Sequence, residues 1–171
     1  MKETLMDTKN FKNLCDRLLK KYEFKKKKTM YYKDSNDGIR CGVYLQRSYY
    51  GKVYYFNYYY FLDNSDVKVF PQYFEADVYG RITVLSKIND WDDNYHQTAL
   101  IEYELYEEKE LEEYLEKGIQ DEILLPVKKG RQVIYDMVKS GICIIYKFRS
   151  KEEEEVMQKL YDFKTGEGQK S

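Results

Sequence analysis

Apolar residues near the start of the chain fall at Phe11, Leu14, Cys15, Leu18, Leu19 and Tyr22. Steps of three and four put them on one stripe of an amphipathic helix. Asp7 or Thr8 is placed to cap it, and Lys12, Arg17, Lys20 and Lys21 lie off the stripe. Phe24 and Lys25, Lys26, Lys27 and Lys28 lead out of the helix, and the period then drops to two. Residues 29–33 read as a short strand, and 34–38 as a turn cluster. Residues 39–50 read as a long strand with Ile39, Cys41, Val43 and Leu45 on one face. Gly51-Lys52 fits a two-residue hairpin turn, and 53–62 is the return strand. A third long strand is expected over 74–85, with Ala76, Val78, Gly80, Ile82 and Val84 facing one way. Alternation resumes over 98–106, where Ala99, Ile101, Tyr103 and Leu105 oppose Glu102 and Glu104.

The period changes again in the last third. Leu111, Tyr114, Leu115, Ile119 and Ile123 fit one helix face, which Pro126 ends or passes to a second helix. Val133, Ile134, Met137 and Val138 mark another helix, closed by Gly141. Residues 142–148 read as a short strand, and Ser150 with Glu153 makes a capping box for a last helix. Hairpin-length connections between the strands argue against parallel βαβ units. The expectation is α+β: an N-terminal helix, a twisted antiparallel sheet of about four to five strands, and C-terminal helices packed on one face. Residues 1–164 form one domain and 165–171 a disordered tail.

The hairpin carries the least ordinary composition. Seven of the 20 tyrosines lie between Tyr49 and Tyr60. With a two-residue loop, Val43 faces Tyr60, Leu45 faces Tyr58, Arg47 faces Phe56 and Tyr49 faces Tyr54, which is the better core face. The other face pairs Tyr44 with Tyr59, Gln46 with Asn57 and Ser48 with Tyr55, with Arg40 further along. A loop two residues longer changes the partners and keeps the faces; a three-residue loop flips one strand. Tyrosine gives stiff contact area with a polar tip, and Gln46 and Asn57 both donate and accept. Arg40, Tyr44, Gln46, Ser48, Tyr55, Asn57 and Tyr59 are therefore the candidate partner-binding set. The competing reading has a C-terminal helix covering this face.

Charge adds a second candidate. The 171 residues carry 29 Lys and Arg against 30 Asp and Glu, a net charge of -1. Residues 1–54 balance at +8 and residues 55–171 at -9. Ten acids lie between Glu102 and Glu122, so Glu112, Glu113 and Glu116 are a candidate acidic partner surface. The competing reading is that these are solvated helix faces, as charge runs usually are. The overall balance excludes a polyanion binder recognisable from bulk charge.

Chemistry is sparse. Cys15, Cys41 and Cys143 have neither disulfide nor zinc spacing and read as buried thiols in a reduced cytoplasm. The start of the chain has no secretory pattern, and no apolar run is long enough for a membrane span. The lone histidine, His96, follows Asp92 and Asp93 near Trp91, a generic fragment of acid–base or metal chemistry. No phosphate loop, dinucleotide fingerprint or metalloprotease motif is present. No catalytic residue, metal or cofactor is assigned.

Val43-Tyr44-Leu45-Gln46-Arg47-Ser48 followed by Tyr55-Phe56-Asn57 resembles a strand pair of the bacterial domain-of-unknown-function family 4304. Phe24-Lys25-Lys26, Gly80-Arg81-Ile82, Trp91 and Leu125-Pro126 are similar as well, so the resemblance spans about residues 7–140. It implies no activity, and the segment from Gly141 onward looks least like the family. Small proteins of this kind often accompany bacterial toxins as immunity proteins. The expected function is a cytoplasmic, non-enzymatic protein-binding module, immunity-like by analogy. The alternatives are a single-stranded nucleic-acid binder on the tyrosine face and an enzyme built on His96 with Asp92 or Asp93.

Overall fold

The computed structural model describes residues 5–35, 38–49, 51–62, 70–88, 96–145 and residue 155. Helix α1 (Thr8–Lys21) starts where Asp7 accepts the Asn10 amide at 2.8 Å, and it buries Phe11, Leu14, Cys15, Leu18 and Leu19. Strands β1 (Lys25–Lys27), β2 (Met30–Asp34), β3 (Arg40–Arg47), β4 (Tyr54–Phe61), β5 (Val78–Arg81) and β8 (Ile144–Ile145) form one antiparallel sheet in the order β1-β2-β3-β4-β5-β8. Strands β6 (Val84–Leu85) and β7 (Gln97–Thr98) pair apart from it. Helix α2 (Glu108–Gly118) runs through a π-helical turn, Ile119–Leu124, into α3 (Leu125–Lys129), and α4 (Arg131–Lys139) follows. The α+β expectation holds, with six strands in the main sheet.

Four expectations are corrected. The lysine run is not a simple exit from α1, because Lys25–Lys27 pair with Met30–Tyr32 as an edge strand. Charged lysines suit a sheet edge, where they oppose edge-to-edge aggregation. The stretch 74–85 is not one strand. It holds the end of a 3-10 turn (Tyr73–Glu75) and then β5 and β6, and buried Asp77, between the turn and β5, accepts the Leu62 amide at 2.8 Å. The stretch 98–106 keeps only the end of β7, where Thr98 pairs with Val84, and one isolated bridge, Ile101 to Tyr54, before a 3-10 turn over Tyr103–Leu105. Alternation there comes from burying Ile101 and Tyr103 against the hairpin end, not from a continuous ladder.

The hairpin register is the fourth. Val43 pairs with Tyr58, Leu45 with Phe56, Arg47 with Tyr54, Tyr44 with Asn57 and Gln46 with Tyr55. The Ser48 amide donates to the Val53 carbonyl at 2.9 Å, so the loop is 49–52. Gly51 sits at φ 137°, far from the roughly +60° that a two-residue turn led by glycine requires. Because the shift is two residues, the faces stay as expected. Two members leave the core assignment: Arg47 is exposed at the end of β3, and Tyr49 lies in the loop and is 100% exposed.

α1, α2, α3 and α4 all pack on the face carrying Val43, Phe56, Tyr58 and Tyr60. The second face holds a smaller cluster of Met30, Tyr32, Tyr59, Phe61 and Ala76. Among the described residues it is overlain by chain 70–76: Tyr32 donates to the Pro71 carbonyl at 2.6 Å, and Tyr44 stacks on Tyr73 at 5.0 Å. The capping box at Ser150 and Glu153, the helix positions Val156, Met157, Leu160 and Tyr161, and the 165–171 tail lie outside the described residues.

Candidate functional site

Strands β3 and β4 and the chain before β5 bring most of the tyrosine-face set together. Asn57 is 1% exposed, and its amide has a single consistent orientation. Arg81 Nε can only donate, and it reaches Asn57 Oδ1 at 2.9 Å. Asn57 Nδ2 then donates to Gln46 Oε1 at 2.9 Å. With that oxygen occupied, the Gln46 Nε2 group is left as a donor. The Arg81 guanidinium also lies 4.1 Å over the Tyr55 ring, which fixes both groups.

Gln46 lines a cleft of about 560 Å³ with Tyr44, Ser48, Tyr49 and Tyr73. The Tyr44 and Tyr73 rings are within 6° of parallel, and Tyr59 tilts against Tyr73 at 5.7 Å. Tyr73 lies just before the segment read as a strand, 74–85, and proximity in sequence gave no sign of it. Tyr49 entered through the loop correction. The other members take supporting positions. Arg40 is 1% exposed and grips Asp34 through Nε at 2.5 Å and Nη2 at 3.0 Å. Tyr59 is buried, and Tyr55 backs Arg81.

The acidic set is partly occupied. Glu112 accepts from Arg17 at 2.8 Å, and Glu116 accepts from Lys21 and Tyr22. Arg17 holds the Glu112 carboxyl below its usual range, and Lys21 does so for Glu116. Glu113 is exposed between them. The opposed charges of the two halves of the sequence thus meet along the α1–α2 contact.

Catalytic chemistry gains little geometry. His96 is exposed beside β7, and its carbonyl accepts the Ser86 amide at 2.8 Å. Trp91, Asp92 and Asp93 lie outside the described residues. Among the described residues no group of three or more His, Cys, Asp or Glu side chains is placed to hold a metal ion. All three thiols are buried; burial pushes Cys143 up to about 12 against the Tyr58 hydrogen bond, and Cys15 higher still. These are not activated nucleophiles.

A family model described as a domain of unknown function, DUF4304, matches residues 15–127, more than half of the chain. The chain belongs to the DUF4304 family. The DUF4304 match runs from within α1 to within α3, so it includes the whole hairpin and its cleft. β8 lies beyond the DUF4304 segment, in agreement with the weak resemblance after Gly141, whereas α4 also lies beyond it although the resemblance in sequence reaches about residue 140. No curated protein and no solved structure matches the chain significantly. Among the described residues no helix is long and apolar enough to cross a membrane.

Proposed function

We propose that this DUF4304 protein is a non-enzymatic protein-binding module whose partner docks on the cleft at the loop end of the β3–β4 hairpin. One observation carries the reading: the Arg81–Asn57–Gln46 hydrogen-bond chain, which holds a half-buried amide beside a stacked tyrosine pair. A preoriented Nε2 donor suits a carbonyl oxygen of a partner's main chain. The tyrosine rings supply contact area that costs little entropy to order. An immunity-like role is one form of this activity and rests on analogy with small bacterial accessory proteins.

The test is capture from the native host with the full chain as bait. A partner held by the wild type and lost on Gln46→Ala, Tyr44→Ala or Tyr49→Ala is the expected result. A partner that tolerates all three substitutions places the interface elsewhere. Tyr59→Ala is unsuitable as a probe, because the buried ring also supports the sheet.

A further inference from the structure

A second groove, of about 650 Å³, lies between α1 and the β1–β2 turn. Lys12, Lys20, Lys26, Lys28 and Arg47 line it, with Asp16 as the one acid. That carboxylate is already used: Lys20 reaches it at 2.9 Å and the Tyr31 hydroxyl donates to it at 2.6 Å. Burial raises the Asp16 carboxyl, but Tyr31 and Lys20 outweigh it and keep the group below its usual range. Among the described residues no carboxylate lies within ion-pair distance of Lys12, Lys26, Lys28 or Arg47. The opposite flank of α1 is different, since Arg17 and Lys21 both pair with α2. Lys28 also sits at φ 56°, a left-handed position that glycine or asparagine occupies at lower cost.

We propose that this basic groove docks an acidic polypeptide segment of the partner. The inference rests on the protein-binding reading above and gives that partner its chemistry. Tyr44 and Arg47 line both the groove and the aromatic cleft, so one extended segment can contact both. The cations are mostly lysine ammonium groups, point charges suited to flexible carboxylates and not to forked, planar recognition. Of the groove's three rings, Tyr31 and Tyr54 are buried, with Lys26 and Lys12 over them, and half-buried Tyr44 already has Tyr73 stacked on it at 5.0 Å, so the groove lacks the run of open rings on which successive bases stack. On the far flank of α1 the cations Arg17 and Lys21 are already paired with Glu108, Glu112 and Glu116, so the unpaired positive charge of this region lies on the groove side.

Fluorescence anisotropy with labelled decaglutamate and the full chain is the test, with a thymidine decanucleotide as rival probe. Decaglutamate should bind at low salt and weaken as salt rises. It should bind about tenfold or more weakly to Lys26→Glu/Lys28→Glu/Arg47→Glu, and likewise to the milder triple Gln variant. Lys109→Glu/Lys117→Glu/Lys128→Glu, a charge-matched control on α2 and α3, should leave binding unchanged. Equal loss in that control, or no binding of decaglutamate at low salt, overturns the groove. Tighter binding of the oligonucleotide overturns the acidic peptide in favour of nucleic acid. If the captured partner tolerates all three cleft substitutions while decaglutamate still binds the groove, only the cleft reading falls.

Discussion

Neighbouring residues of β4 have opposite fates. Phe56, Tyr58 and Tyr60 sink into a core shared with four helices. Tyr55, Asn57 and Tyr59 face a thinner layer built by chain 70–76 and by each other. The first face is held by apolar burial, with tyrosine hydroxyls tied to distant backbone, as in Tyr60 to the Glu122 carbonyl at 2.7 Å. The second is held by polar side chains satisfying one another around a few rings. A face of the first kind tolerates little change in volume, whereas one of the second kind can spare a donor for a partner.

The largest effect should come from breaking the first face. Phe56→Ala removes a fully buried ring and should cost about 3–5 kcal/mol in urea unfolding. Tyr55→Ala, one residue away and half-buried, should cost far less. Equal losses would remove the distinction between the faces. Asn57→Ala comes next. It strands Gln46 and Arg81 near a buried position, and a loss of about 1–3 kcal/mol is expected. An unchanged midpoint would mean that water replaces the amide without cost.

Glu122 sharpens the comparison through pH. It sits in the π-helical turn and accepts the Tyr58 hydroxyl at 2.8 Å. Burial pushes its carboxyl above the usual range, more than the Tyr58 hydrogen bond lowers it. The folded state therefore keeps this proton to higher pH than the unfolded chain does. Stability contributed by the group is present below the unfolded value, near about 4.3, and is lost as pH climbs through the folded one. Glu122→Gln keeps an acceptor for Tyr58 and loses the penalty. Its melting temperature should exceed that of the wild type near about pH 7, and the two should converge near about pH 4. Asp16, Glu112 and Glu116, all lowered, act the other way and are shared by both proteins, so the difference isolates Glu122.

Much of this was legible in the residues, for reasons of period. The stripe of α1 and the alternation of β3 and β4 each fix a face, and a face survives a two-residue error in register. The partner of a given residue does not, which is why Tyr49 was misplaced. Tyr73 was invisible as part of the site, because stacking on Tyr44 depends on how the chain returns from β4 to β5. Charge was legible only as a total: no periodicity tells Arg17, spent on Glu112, from Lys12 five residues earlier, which faces the open groove.

The smallest expected effect on stability is the most informative about the cleft. Tyr49 makes no ring contact within the described residues and is fully exposed, so nothing folded is lost with its side chain. Tyr49→Ala should change unfolding free energy by no more than about 0.5 kcal/mol. Exposed apolar area of this size at a loop tip is dispensable for the fold, which leaves a partner as the reason it matters. Urea unfolding and partner capture on the same variant then separate the two roles. A neutral midpoint with lost capture places Tyr49 in the interface. A destabilised variant would show that the loop packs back on the sheet, and the cleft would belong to the second face's own core.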